Sequence, residues 1–174
     1  MLFRSRPKAE VDFLMKLPQE YLATELDELC ARNVQVRFLG SEEGLPEHTL
    51  KAVKEAVRKT AANTGLILNF ALNYGSRLEI VQMVKKVAQK VKNNELTIDE
   101  IDEKLISRSL QTGDLPDPDL LIRTKEIRLS NFMLWQLAYT ELWFADVCWP
   151  DFTKDLFKRA IQDYQRRVRR YGAV

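Results

Sequence analysis

The sequence predicts an α/β fold, a mostly parallel sheet flanked by helices, on three observations. Residues 34–39 alternate in side-chain character and end at Gly40, as a half-buried strand does. Residues 66–72 are almost continuously apolar, which suits a central parallel strand covered on both faces. A third short apolar run, Leu120 to Arg123, follows a Pro-flanked approach, and stretches of helical spacing lie between the three. Strands alternating with helices are the mark of layered α/β folds. The 174 residues suffice for one sizeable core, and no repeat, low-complexity stretch or Gly/Ser linker divides residues 1–174, so a single domain is expected.

In chain order, Leu14, Leu17, Leu22, Leu26 and Leu29 predict a helix over 10–32, with Pro18 giving a kink or two helices. The strand 34–39 is followed by a helix over 46–63, stopped by Asn63, Thr64 and Gly65. Asn73, Tyr74 and Gly75 end the apolar strand. Leu78, Val81, Val84, Val87, Ala88 and Val91 then form the apolar face of a helix reaching Asn93 and Asn94. Thr97 and Glu100 have capping-box spacing and open a shorter helix. After the strand 120–123 come a helix over 131–139 and a short strand over 142–144. The last helix runs from about 154 to 171, with Leu156, Ala160, Ile161, Tyr164 and Val168 on one face.

Composition narrows the function. Hydrophobic content of 45% and charged content of 30% are those of a globular protein, and a net charge of +2 argues against a nucleic-acid partner. Cys30 and Cys148 form no close pair, and His48 is the single histidine, so disulfide, zinc and His-based chemistry are not indicated. No apolar run has transmembrane length, and the first residues are too short and charged for a signal peptide; a cytoplasmic protein is expected.

The chemistry concentrates between Asp119 and Glu141. Arg123 ends a strand, Arg128 follows five residues on, and Ser130 stands at the start of a predicted helix. Forked guanidinium donors and the free N–H groups of a first helical turn make an anion pocket, and diphosphate is the anion that fits it. Glu141, one helix later, could hold a divalent cation beside it. In parallel α/β sheets ligands bind at strand carboxyl ends, where Asn73, Arg123 and its loop all fall. Plainer readings stand alongside. On spacing alone Arg123 and Arg128 read as surface or ion-paired residues, Ser130 as an N-cap and Glu141 as a solvated carboxylate. Trp135, Trp143 and Trp149 read as core or interface aromatics, and the arginines of 166–170 as a solvated helix face.

The run from Asp119 to Glu141 closely resembles the signature of the cis-prenyltransferases, the undecaprenyl diphosphate synthase family. Residues 69–77 resemble that family's Asn-x-Ala-x-Asn-Tyr-Gly-Gly-Arg motif, residues 149–152 its Trp-Pro-Asp-Phe, and residues 170–172 its C-terminal Arg-x-Gly. The resemblance runs from about residue 6 to 172. It implies a Mg²⁺-dependent transferase that condenses isopentenyl diphosphate onto an allylic prenyl diphosphate. Carried over by position, Arg123, Arg128, Leu129 and Ser130 would hold the isopentenyl diphosphate headgroup. Arg6 would touch substrate, and Arg170 and Gly172 would lie near the diphosphates. Glu141 would ligate Mg²⁺, usually across the interface of a homodimer. A lipid product would bring the protein to the membrane periphery.

Two departures from the family bear on competence. The family's Asp-Gly-Asn-x-Arg-Trp sequence, whose Asp serves the allylic diphosphate and metal, does not occur here, so no catalytic residue is assigned. Where the family has Glu-Asn-Trp, this chain has Leu2, Phe3 and Arg4, so the domain is expected to be incomplete at its N-terminus. The signature's Arg-Thr-x-Gly-Glu is also one residue shorter, with Lys125 and no Gly, which should distort the anion site. The expectation is a transferase impaired or inactive alone. The alternatives are a non-catalytic accessory subunit paired with a complete one and a remnant without function.

Overall fold

The computed structural model describes residues 7–168. Its element order is α1 (Lys8–Ala31), β1 (Gln35–Leu39), α2 (Glu47–Lys59), β2 (Ile67–Ala71), α3 (Ser76–Lys92), α4 (Glu103–Ser109), β3 (Leu120–Thr124), β4 (Glu141–Ala145) and α5 (Lys154–Arg166). The α/β class and the parallel pairing are those the sequence predicts. The chain divides into two compact units, Met1–Lys85 and Lys86–Val174.

In the first unit β1 pairs with β2 in parallel, Gln35 opposite Ile67 and Leu39 opposite Ala71. Leu22 and Leu26 of α1, Val36 of β1, and Val53 and Ala56 of α2 form the core. Helix α1 continues through Pro18 as one element, although Pro18 supplies no N–H to the ladder. Its buried face, Met15, Leu22 and Leu26, spans the proline, and Thr49 of α2 donates to the Met15 carbonyl oxygen at 2.6 Å. Fully buried Thr60 closes α2: its hydroxyl donates to the Ala56 carbonyl oxygen (2.8 Å) and accepts from the Val36 N–H (2.9 Å). Gly40 is required at the end of β1, because its φ of +134° is glycine territory and a Cβ there would run into the Leu72 carbonyl.

Two expectations fail in this half of the sequence. Strand β2 is not covered on both faces: Phe70 is 41% exposed, and Leu66, just before it, 68%. Among the described residues β2 pairs only with β1, so its apolar surface exceeds what surrounds it. Helix α3 turns inward only part of the face predicted, Val87 among it. Glu79, Met83 and Val87 are buried at i, i+4 spacing, whereas Leu78, Val81 and Val84 are 44–53% exposed. The buried Tyr74 hydroxyl donates to the Glu79 carboxylate at 2.5 Å, and that polar pair sets the helix's orientation against the purely apolar pattern.

In the second unit β3 pairs with β4 in parallel, Leu120 opposite Glu141 and Thr124 opposite Ala145. Helix α5 packs by Ala160, fully buried, and by polar anchors. Trp143 donates to Asp163 (2.9 Å) and Tyr164 donates to Asp119 (3.0 Å). The helix ends at Arg166, so Val168 lies beyond it and is exposed rather than part of the apolar face. The capping box of Thr97 and Glu100 forms, but it closes a single 3₁₀ turn; α4 starts afterwards on its own N-cap, Asp102.

The helix predicted over 131–139 is absent. Residues 130–139 form successive turns, with Phe132 N–H bonded to the Leu129 carbonyl and Leu137 N–H to that of Met133. Positive φ at Ser130 (51°), Asn131 (61°) and Met133 (45°) interrupts the α ladder where the helix would begin. Buried Gln136, donating to Thr112 at 3.0 Å, fixes the segment in this form.

Candidate functional site

Arg123 stands near the carboxyl end of β3, where a ligand-binding residue is expected in a parallel sheet. Beyond it the ladder extends one bond further, from the Lys125 N–H to the Ala145 carbonyl oxygen. Lys125 then adopts φ +68° and turns the chain back. This left-handed residue does the work of the absent Gly and brings the next side chain over the strand end.

That side chain is Glu126. Arg123 donates through Nη2 to Glu126 Oε2 (2.6 Å) and through Nε to the Glu126 carbonyl oxygen (3.1 Å). Arg128 donates through Nε to Oε2 (2.9 Å) and through Nη2 to Oε1 (2.6 Å). Arg123 Nη2 also reaches Ser130 Oγ at 3.0 Å. Arg123, Arg128 and Ser130 are therefore brought together, but around a carboxylate of the same loop. The Arg128 guanidinium, and Arg123 after it, hold the Glu126 carboxyl below its usual range. Leu129, between Arg128 and Ser130, contributes its carbonyl to the turn at Phe132.

The electrostatic source of this site differs from the predicted one. With no helix at 131–139 there is no helix N-terminus for Ser130 to cap, and the positive charge that gathers the cluster is that of the two guanidinium groups. Glu126 is the residue the sequence reading passed over. Its spacing, three residues after one arginine and two before another, permits it to reach both, but the left-handed turn at Lys125 is what brings it between them.

Glu141 is not beside this cluster within one chain. It opens β4 opposite Leu120, three register positions from the Arg123–Phe144 pair, about 10 Å along the sheet. Its carboxylate accepts from Arg167 Nη1 at 2.5 Å, while Arg167 Nη2 donates to the Leu142 carbonyl oxygen at 3.0 Å. Among the described residues no three potential metal ligands converge. Asn73, at the end of β2 in the first unit, has its amide engaged by the carbonyls of Ser41 (3.1 Å) and Glu43 (3.0 Å), which fixes the loop after β1. Arg6, Arg170 and Gly172 lie outside the described residues.

An apolar groove of about 530 Å³ lies in the first unit, lined in part by Leu14, Leu17 and Tyr21 of α1 and by Leu68 and Phe70 of β2. No helix among the described residues is long and apolar enough to cross a membrane.

The chain is a parallel α/β one in which two arginines and a serine meet at a strand end. Sequence supplies the family. Residues 3–172 match the family described as putative undecaprenyl diphosphate synthase, and the chain belongs to that family. It is 62% identical over 170 residues to the isoprenyl transferase of Geobacillus kaustophilus and 59% identical to that of Bacillus subtilis. These alignments take in 97% of this chain but 66% and 65% of the relatives, so the chain spans about two thirds of the length of the curated proteins it matches. Among solved structures it is similar to lavandulyl diphosphate synthase from Lavandula x intermedia in complex with dimethylallyl diphosphate. The TM-score is 0.93 at 38% identity, covering 97% of this chain and 73% of that one. A probable undecaprenyl diphosphate synthase from Campylobacter jejuni gives 0.84 at 32% identity, covering 98% and 78%.

Proposed function

We propose that this chain supplies the isopentenyl-diphosphate side of a cis-prenyltransferase, an enzyme that joins isopentenyl diphosphate to an allylic prenyl diphosphate. The observation that carries the reading is the meeting of Arg123, Arg128 and Ser130 at the end of β3. Forked guanidinium donors recognise phosphate oxygens in pairs and fix a headgroup's orientation as well as its charge. Isopentenyl diphosphate reacts through its alkene, so the groups that hold its diphosphate bind and aim it without touching the reacting carbons. The dimethylallyl diphosphate in the lavandulyl enzyme supports an allylic diphosphate as the second substrate. The apolar groove beside β2 would suit a growing prenyl chain, and a lipid product would keep the protein at the membrane periphery.

Glu141 is the residue of this chain that would hold Mg²⁺. A single carboxylate fits the need, because Mg²⁺ commonly takes one or two carboxylates and completes its shell with water and substrate phosphates. When bound, the ion neutralises charge developing on the departing diphosphate. The distance of Glu141 from Arg123 along the sheet favours its service to a neighbouring subunit's site, in a homodimer or with a complete subunit. The exposed stripe Leu78, Val81 and Val84 offers apolar surface for such association.

No Asp-Gly-Asn-x-Arg-Trp sequence occurs in the 174 residues, so the chain by itself is proposed to bind isopentenyl diphosphate without elongating it. Titration of isopentenyl diphosphate into labelled protein, followed by NMR, tests the site. Shifts should centre on Arg123, Arg128 and Ser130 with affinity on the order of millimolar. Arg128→Ala should weaken binding by roughly 1.5–3 kcal/mol, beyond detection. Shifts centred elsewhere, or unchanged in Arg128→Ala, would refute the site. Butanol-extractable product from the chain with farnesyl diphosphate and Mg²⁺ would refute its inactivity alone.

A further inference from the structure

We propose that Glu126 is a tethered internal anion that fills the two-arginine fork, and that a diphosphate enters only by displacing it. The inference rests on the anion-site reading above and deepens it, turning a receptive pocket into one already closed on a competitor.

Three features carry it. First, both arginines are directed at the Glu126 carboxylate: Oε2 accepts from both Arg123 Nη2 and Arg128 Nε, and Oε1 accepts from Arg128 Nη2. A carboxylate bridging two guanidinium groups uses the same paired donors that two oxygens of a phosphate would use. Second, the backbone holds the competitor close without burying it. Lys125 at φ +68° bends the chain, the Glu126 N–H donates to the Thr124 carbonyl oxygen at 2.9 Å, and the Glu126 side chain stays 43% exposed. Third, Ile127 is 83% exposed, so little packing resists an outward swing of the carboxylate.

The consequence is selectivity by charge. A singly charged anion offers the arginines no more than the tethered carboxylate already gives them, and the tether adds a high effective concentration to Glu126. A diphosphate carries more charge and more acceptor oxygens, so it can take both forks while Glu126 turns to solvent. The residue therefore lowers absolute affinity while rejecting monoanions.

Calorimetric titration of the full 174-residue chain with inorganic pyrophosphate, and separately with inorganic phosphate, decides the matter. Glu126→Gln keeps the size of the side chain and removes its charge. It should tighten pyrophosphate binding roughly three- to tenfold, the scale of releasing two exposed ion pairs, and tighten phosphate by at least as much. A thermal melt unchanged from the parent shows that the loop change is local. If Glu126 instead positions the arginines, Glu126→Gln will weaken binding, and weaker or equal affinity overturns the proposal. Arg128→Ala separates this failure from failure of the site itself. Binding lost in Arg128→Ala but not tightened in Glu126→Gln sinks only the competitor role. Binding indifferent to Arg128→Ala, or absent in the parent and in Glu126→Gln alike, sinks both.

Discussion

Two loops leave parallel strands at their carboxyl ends in this molecule, and they use polar residues in opposite ways. After β2, Asn73 binds the Ser41 and Glu43 carbonyls, Tyr74 and Glu79 bond to each other while almost fully buried, and Ser76 is fully buried. After β3, Arg123, Glu126, Arg128 and Ser130 form a network of comparable richness, but exposed to solvent. The Tyr74–Glu79 part of the first network is enclosed and can be broken only by damaging the fold. The second can exchange one acid for another without moving the core. Polar density alone therefore does not mark a binding site; access to solvent is what separates the two networks.

This contrast predicts that substitutions around the first loop change stability while those in the second change binding. The largest effect should come from Gly40→Ala. A side chain in that backbone region costs about 1–3 kcal/mol, and its contact with the Leu72 carbonyl adds a similar amount, so a loss of about 3 kcal/mol or more is expected by urea denaturation. Tyr74→Phe should follow, at about 1–3 kcal/mol, because it removes the hydroxyl donor from a buried carboxylate. Pyrophosphate affinity should be unchanged in Tyr74→Phe; a fall would mean that the enclosed network also serves the ligand. The smallest effect is a titration. With its folded pKa lowered below 4.5, Glu126 keeps its contribution at neutral pH, and that contribution is lost as pH falls through the folded value. Carboxyl ¹³C shifts should place the midpoint below the ordinary glutamate value, and Arg128→Ala should move it upward. An unshifted midpoint in the parent would show that solvent has already loosened the second loop.

Strands β1, β3 and β4 were legible to within a residue or two, because period-two alternation and short apolar runs bounded by Gly, Pro and Asn leave few alternatives. Strand β2 was located correctly and its surroundings were not. Continuous apolarity states what a strand can bury, not what lies beside it, and Leu66 and Phe70 remain exposed. The segment 131–139 misled for another reason. Its apolar spacing suits a helix, but positive φ at Ser130, Asn131 and Met133 is set by the turn that precedes it and by Gln136 reaching Thr112. At the candidate site, the gathering of Arg123, Arg128 and Ser130 could be read from the sequence. Their enclosure of Glu126 could not be read from residue types alone, because it depends on the left-handed turn at Lys125.

The division into two compact units also has a spectroscopic consequence. Trp135, Trp143 and Trp149 are the chain's three tryptophans, and all belong to the second unit. Trp149 is 68% exposed and stacks on Phe152 with ring centroids 5.3 Å apart, so its emission responds to the end of β4 and the start of α5. Tryptophan fluorescence therefore watches Lys86–Val174 alone, whereas far-ultraviolet circular dichroism is weighted towards α1 and α2 of Met1–Lys85 as well. Coincident melting by the two signals would mean that the units unfold together, and two separate midpoints would identify which of them gives way first.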